Sequence, residues 1–318
     1  MEKKFMYNGY DAIIFDIDGV LIDVINSYNQ TIAKTIGYIL HNHFNISLAD
    51  FPIEQLISKF RHTGGFNNDI DTAYSIILTI VYCKLIEINE INEIYGFFIE
   101  LLDKLDDKGI ISVEKELEKY GNIENVKIKL GYPKEDNIIS TIFNEIFYGP
   151  ELFKMQFKKE SKYYFDEPLI KNDKLIVLES TIKYLFEKFN GNLILISGRS
   201  KISAYFTLNN ILDYFIKDAC IFLEDEKREY SKPNPYAIYK VFNYLNLKSA
   251  VYVGDSVEDL LMVKKFKETR DEKIIFCGIC GKNMHSSESL KKLFEIKGAD
   301  FMVETVNDIP NILNNIKK

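Results

Sequence analysis

Two aspartates one residue apart, Asp16 and Asp18, close the apolar run Ala12-Ile13-Ile14-Phe15 and are followed by Gly19. An apolar, β-prone run ending in charge reads as a buried strand that empties into a loop at its carboxyl end. An ionised carboxylate beside a core costs on the order of several kcal/mol unless a cation or strong donors meet it. Mg²⁺ is a natural partner, because it takes oxygen ligands and commonly uses one or two protein carboxylates while water and phosphate fill its other positions. The alternative is a plain strand end with Asp18-Gly19 forming a turn. This stretch alone leaves both readings open.

Three further stretches, placed around strand ends, break the tie. Leu193-Ile194-Leu195-Ile196 leads into Ser197-Gly198-Arg199, a hydroxyl and a loop suited to offering Ser197 Oγ and a main-chain N–H to an anion. Lys232 stands in Ser231-Lys232-Pro233-Asn234-Pro235, where two prolines stiffen the chain around one ammonium. Ala250-Val251-Tyr252-Val253 leads into Gly254-Asp255-Ser256-Val257-Glu258-Asp259, a glycine and then two acids four residues apart. Taken in order, Asp-x-Asp-Gly, Ser, Lys-Pro and Gly-Asp-Ser-x-x-Asp closely resemble the four motifs of the haloacid dehalogenase-like (HAD) hydrolase superfamily, in its phosphatase type with a helical cap inserted after the first motif. The resemblance covers residues 10–23 and roughly 165–305.

The resemblance implies a Mg²⁺-dependent phosphomonoester hydrolase that acts on a small phosphorylated metabolite through an aspartyl-phosphate. Asp16 would be the nucleophile, a carboxylate already ionised at neutral pH. Asp18 would be the general acid for the leaving oxygen and then the base for water. Ser197 and Lys232 would bind phosphate oxygens and stabilise transition-state charge. Asp16, the main-chain carbonyl of Asp18, Asp255 and Asp259 would hold Mg²⁺. Gly19, Gly198 and Arg199 complete the expected substrate-binding set in the core, Arg199 either reaching a phosphate or capping the next helix. The dehalogenase branch has no acid two residues after its nucleophile and needs no metal, so Asp18 argues against it. A phosphomutase on the same core and a non-catalytic phospho-ligand-binding protein stay as alternatives.

The elements that must position these residues are an alternation of strands and helices. Strands are expected at 192–197, 219–223, 250–254, 273–278 and 301–304, and helices at 174–189, 201–214, 235–246 and 257–267. That order implies an α/β fold, a doubly wound parallel sheet with a Rossmann-like core, whose ligands bind outside the carboxyl ends of the strands. Residues 25–164 instead carry helical periodicity, in stretches such as 25–40, 72–88, 90–105 and 138–147. The expected domains are an α/β core of residues 1–24 and 165–318 and a helical cap of residues 25–164, with 112–134 as a surface excursion. Within the cap, Arg61-His62-Thr63-Gly64-Gly65-Phe66-Asn67-Asn68-Asp69 gathers hydrogen-bonding side chains around a glycine pair. Arg61, Asn67 and Asn68 are read as a substrate-specificity loop, the alternative being a turn in which Asn67, Asn68 or Asp69 caps the next helix. The Gly-Gly-Phe-Asn-Asn-Asp string is similar to one in a small branch of HAD-like proteins.

Composition narrows the class. A net charge of −7 disfavours a general nucleic-acid binder, which needs a cationic face for phosphates. No apolar run reaches the roughly 18 residues of a membrane span, and Met1-Glu2-Lys3-Lys4 leads directly toward the first strand with no signal-peptide pattern. The expectation is a cytoplasmic protein that binds neither nucleic acid nor membrane, with an unknown oligomeric state. Cys83, Cys220, Cys277 and Cys280 are too few and scattered for a disulfide framework. Cys277-Gly-Ile-Cys280 has the C-x-x-C spacing, but it follows an apolar strand and has no second pair, so buried cysteines are the reading. His41, His43 and His62 are read as surface or helix-end residues.

Overall fold

A computed structural model describes residues 9–47, 49–63, 65–66, 68–106, 108–132, 137–281 and 287–314. The chain divides into two compact units, one of residues 1–24 with 173–318 and one of residues 25–172. The expected border near residue 165 thus falls eight residues early. The 3₁₀ turn Leu169–Asn172 buries Leu169 and Ile170 in the core of the helical unit.

The first unit is built on a six-stranded parallel sheet of β1 (Ala12–Phe15), β4 (Leu193–Ser197), β5 (Ile221–Phe222), β6 (Ser249–Gly254), β7 (Lys273–Ile279) and β8 (Phe301–Val303), in spatial order β5-β4-β1-β6-β7-β8. Alternation along β1 fills both faces: Ile13 and Phe15 join one apolar cluster, Ala12 and Ile14 the other, and all four are fully buried. A strand buried on both faces has no polar alternation to show, which is why these runs read as continuous apolar segments. The chain leaves β1 toward β4 and β5, then crosses back to β6 on the other side of β1. That reversal opens a crevice at the carboxyl ends of β4, β1 and β6.

Helices α8 (Glu179–Lys188), α9 (Lys201–Leu208), α10 (Tyr236–Leu245), α11 (Val257–Thr269), α12 (Ser287–Lys297) and α13 (Ile309–Asn314) belong to this unit. Two expectations shift. Residues 174–189 are not one helix, because β3 (Lys174–Leu175) pairs antiparallel with β2 (Ile22–Asp23) before α8 begins. The helix expected over 201–214 ends at Leu208 and continues as a 3₁₀ segment, Asn209–Tyr214.

The second unit is helical: α1 (Ile25–Phe44), α2 (Ile53–His62), α3 (Asp69–Leu85), α4 (Ile91–Leu102), α5 (Ile110–Glu118), α6 (Glu124–Leu130) and α7 (Ile138–Phe157). Helix α3 is buried without a break from Thr72 to Cys83, as expected of a helix with no polar stripe. Gly149 breaks the helical path of α7 at φ 65° ahead of Pro150, and a Cβ there would stand 2.8 Å from the Pro168 ring. Within α7, the fully buried Glu145 carboxylate accepts the main-chain N–H groups of Lys162, Tyr163 and Tyr164, which follow the helix, at 2.9, 2.7 and 3.0 Å. The stretch expected as a surface excursion is α5, α6 and their joint, as far as the described residues extend.

Candidate active site

Asp16 emerges from β1 in register with its neighbours: Phe15 pairs with Leu195 of β4 and Val253 of β6, and the Asp16 N–H donates to the Val253 carbonyl at 2.9 Å. In the same register Ser197 and Asp255 stand one residue beyond the level of Asp16, at the same end of the sheet. The following loop is closed tightly, the Ile17 carbonyl accepting the N–H groups of Val20, Leu21 and Ile22. Gly19 stands at φ 69°, and a Cβ there would lie 1.8 Å from Asp255 Oδ2. Both the left-handed backbone and the approach of Asp255 call for glycine at this position.

Three carboxylates meet at this end. Oxygen atoms of Asp16, Asp255 and Asp259 all lie within 4.8 Å of one another. Lys232 stands between two of them, its Nζ 2.8 Å from Asp16 Oδ2 and 2.7 Å from Asp259 Oδ1. Asp259 is fully buried and held on both oxygens. Oδ1 also accepts the Tyr252 hydroxyl at 2.9 Å, and Oδ2 accepts the Ser256 hydroxyl at 2.7 Å, while Ser256 Oγ accepts the Asp259 N–H at 3.1 Å. This reciprocal capping opens α11. Gly254 keeps the turn small, since a Cβ there would sit 2.6 Å from Asp259 Cβ.

The electrostatics are those of crowded, desolvated acids. Burial raises the Asp16 carboxyl; Lys232 opposes that rise while Asp259 and Asp18 add to it, and the result is a pKa of about 7. Burial and the charges of Asp16 and Asp259 push Asp255 well above the carboxylate range. Burial works to lower the Lys232 ammonium, but Asp16 and Asp259 overcome it and raise its pKa well above the usual lysine value. Asp16 Oδ1 accepts the Ile17 N–H at 2.7 Å, whereas among the described residues none donates a hydrogen bond to the Asp255 carboxylate. A buried acid cluster with one carboxylate lacking a donor, and with only oxygen ligands to offer, fits a hard divalent cation.

Ser197 is buried at the end of β4 and its Oγ accepts the Arg199 N–H at 3.3 Å. Open space surrounds the Cβ position of Gly198. Arg199 neither caps α9, a role taken by Ser200, nor extends outward. Its guanidinium is buried against Asp18 Oδ1 and, at 2.8 Å, against Asp173 Oδ2. Asp173 and Tyr252 escape sequence reasoning. A hydroxyl inside a buried strand was a usable sign for Tyr252, since such a group needs a partner; nothing in Lys171-Asn172-Asp173-Lys174 marks the aspartate.

In the helical unit, Asn68 is the N-cap of α3, accepting the Ile70 N–H at 2.8 Å and the Asp71 N–H at 3.4 Å. Arg61 Nη1 donates to Asn29 Oδ1 at 2.7 Å, and its Nη2 pairs with Asp69 Oδ1 at 2.9 Å. Asn67 lies outside the described residues. The turn thus has internal partners of its own, and Phe66 packs edge-on against Phe60 beneath it. His41 and His43 fall in the last turn of α1. All four cysteines are free thiols, Cys83, Cys277 and Cys280 being buried. No helix among the described residues is long and apolar enough to cross a membrane.

Comparison with known proteins places this geometry. The protein is similar in structure to a crystallographic structural-genomics target, with 18% identity, 96% of this chain and 99% of the other covered, and a TM-score of 0.68. It is also similar to a phosphatase from Thermococcus thioreducens, with 21% identity, 89% and 98% covered, and a TM-score of 0.57. No curated protein matches the sequence. The model of a family of hydrolases, described as haloacid dehalogenase-like hydrolase, matches residues 10–267. That span takes in Asp16, Asp18, Ser197, Lys232, Asp255 and Asp259, and the chain belongs to the haloacid dehalogenase-like hydrolase family.

Proposed function

We propose that the protein is a Mg²⁺-dependent phosphomonoester hydrolase acting through a covalent phosphoryl-Asp16. The observation that carries this reading is the convergence of Asp16, Asp255 and Asp259 around the buried Lys232 ammonium, beside Ser197 and Asp18. Cation, ammonium and hydroxyl together suit a phosphate dianion better than a neutral ester. Asp16 and Asp255, with the Asp18 carbonyl, would hold the metal, and Asp259 would support the site by fixing Lys232. Bound Mg²⁺ offsets the repulsion between the acid cluster and the phosphate.

Asp16 bonds to phosphorus as the ester P–O bond breaks; the electron pair leaves on the ester oxygen, which takes a proton from Asp18. Water then attacks phosphorus and gives its proton to Asp18, and the breaking phosphoryl bond returns its electron pair to the Asp16 carboxylate. Ser197 Oγ and Lys232 Nζ serve the phosphate oxygens in both steps. The helical unit, residues 25–172, is assigned the choice among small phosphorylated metabolites.

The test is release of inorganic phosphate from an aryl phosphate and a panel of phosphomonoesters, in Mg²⁺ and in EDTA, by wild type and Asp16→Asn. Metal-dependent release that the variant lacks supports the reading. Full turnover by freshly purified Asp16→Asn contradicts it, and transfer only to an added sugar phosphate would make the protein a phosphomutase.

A further inference from the structure

We propose that Arg199 is a positioning residue that holds Asp18 in place for proton transfer, and that Asp173 and Thr207 hold Arg199 in turn. This rests on the reading of Asp18 as proton donor. All three polar positions of the guanidinium are engaged: Nε donates to Asp18 Oδ1, Nη1 to Thr207 Oγ1 at 3.3 Å, and Nη2 pairs with Asp173 Oδ2 at 2.8 Å. The ring closes because the Thr207 hydroxyl donates to the same Asp173 Oδ2 at 3.2 Å. The Arg199 side chain is 1% exposed and that of Asp173 0%, against 31% for Asp18.

An arginine that recognises phosphate presents its outer nitrogens to the ligand as a fork. Here both outer nitrogens face protein partners inside the core, and the inner Nε faces the acid. Asp173 supplies the buried counter-charge that lets the guanidinium stay out of water. It is also anchored on its own account. Its neighbour Lys174 pairs with Asp23 across β2 and β3, and β2 follows directly on the loop that carries Asp18. Asp18 is thus gripped from two sides, by its tight main-chain turn and by a guanidinium whose angle is set by α9 and the start of β3. A proton donor works only within hydrogen-bond reach of the leaving oxygen, and small misplacements are expensive in rate. A partly exposed aspartate with free side-chain torsions would not hold that position unaided.

The test uses full-length protein with Mg²⁺ and measures first-turnover release of the phenol from phenyl phosphate and from dinitrophenyl phosphate, whose leaving group needs little protonation. Arg199→Lys keeps the charge but loses the fork. It is expected to lose about 100-fold on phenyl phosphate and about tenfold or less on dinitrophenyl phosphate. In an Asp18→Ala background the same substitution adds about twofold at most, because its effect passes through Asp18. The inhibition constant of inorganic phosphate stays within about twofold of wild type by the same reasoning. Equal losses on both leaving groups, losses that multiply in the double variant, or a large weakening of phosphate inhibition would overturn the assignment. Should Arg199→Lys fail to fold, Thr207→Val keeps the buried ion pair and is expected to show a smaller loss with the same leaving-group bias; an unbiased loss there overturns the assignment as well. No turnover by wild type on any ester would refute the phosphatase reading itself, a result distinct from an unbiased Arg199 effect in an active enzyme.

Discussion

Neutralising Asp16 should abolish turnover and, in the absence of metal, make the protein more stable at alkaline pH. Burial, opposed by Lys232 and reinforced by Asp259 and Asp18, raises this carboxyl to about 7, whereas in the unfolded chain it titrates near 4. Between those values the native state binds more protons than the unfolded state, so stability falls as pH rises. The stabilisation from holding that proton is complete below about pH 4 and gone above about pH 7. A shift of about three units corresponds to at most about 4 kcal/mol, since Asp255 titrates in the same cluster. For a unit of this size that is on the order of 10 °C in melting temperature. The assay is thermal unfolding of wild type and Asp16→Asn in EDTA from pH 5 to 8. The variant's advantage over wild type should grow with pH across this range. Excess Mg²⁺ should then stabilise wild type far more than the variant. A difference independent of pH, or equal stabilisation of both by Mg²⁺, would refute the crowded-acid account of this site.

Other substitutions probe the supports of the site and of the helical unit. Gly19→Ala should cost about 1–2 kcal/mol through its left-handed backbone and also weaken Mg²⁺ binding by displacing Asp255, measured by unfolding and metal titration. Asn68→Ala should lower stability by about 1 kcal/mol as a lost N-cap, with KM changing little, as chemical denaturation and kinetics together would show. Glu145→Ala strips three main-chain N–H groups of their acceptor and should cost about 3 kcal/mol or more, read as a fall in denaturation midpoint. Burial pushes Cys83 up to about 12 and Cys220 and Cys280 to about 11. Alkylation by iodoacetamide at pH 8 should therefore be slow in the native protein and complete on unfolding.

The parallel sheet was legible because strands buried on both faces leave uninterrupted apolar runs, and Asp16, Ser197 and Asp255 stand where such runs stop, whereas Lys232 lies ten residues past the end of β5. The convergence of Asp16, Ser197 and Asp255 follows from the adjacency of β4, β1 and β6, which chain order and the rule for strand-end sites made foreseeable. Arg199 was legible as a candidate, but its partners were not. Its sequence neighbours suggested phosphate or a helix cap, whereas its partners Asp173 and Thr207 are set by tertiary packing that no local pattern announces. Around Arg61 and Asn68 the same hydrogen-bonding groups that suggest a ligand also serve the unit itself, Asn68 capping α3 and Arg61 meeting Asn29 and Asp69. The break at 174–189 failed for a local reason, since a two-residue strand is too short to leave a period in the sequence.

The central claim is that Asp16 carries the phosphoryl group, and the most direct measurement is acid quenching of wild-type protein during turnover of an aryl phosphate with Mg²⁺, followed by peptide mass mapping. The account predicts a phosphoryl group on the peptide containing Asp16, absent in Asp16→Asn and absent when EDTA replaces Mg²⁺. Turnover with that peptide unmodified at every quench time, or a phosphoryl group found on another residue, would contradict it.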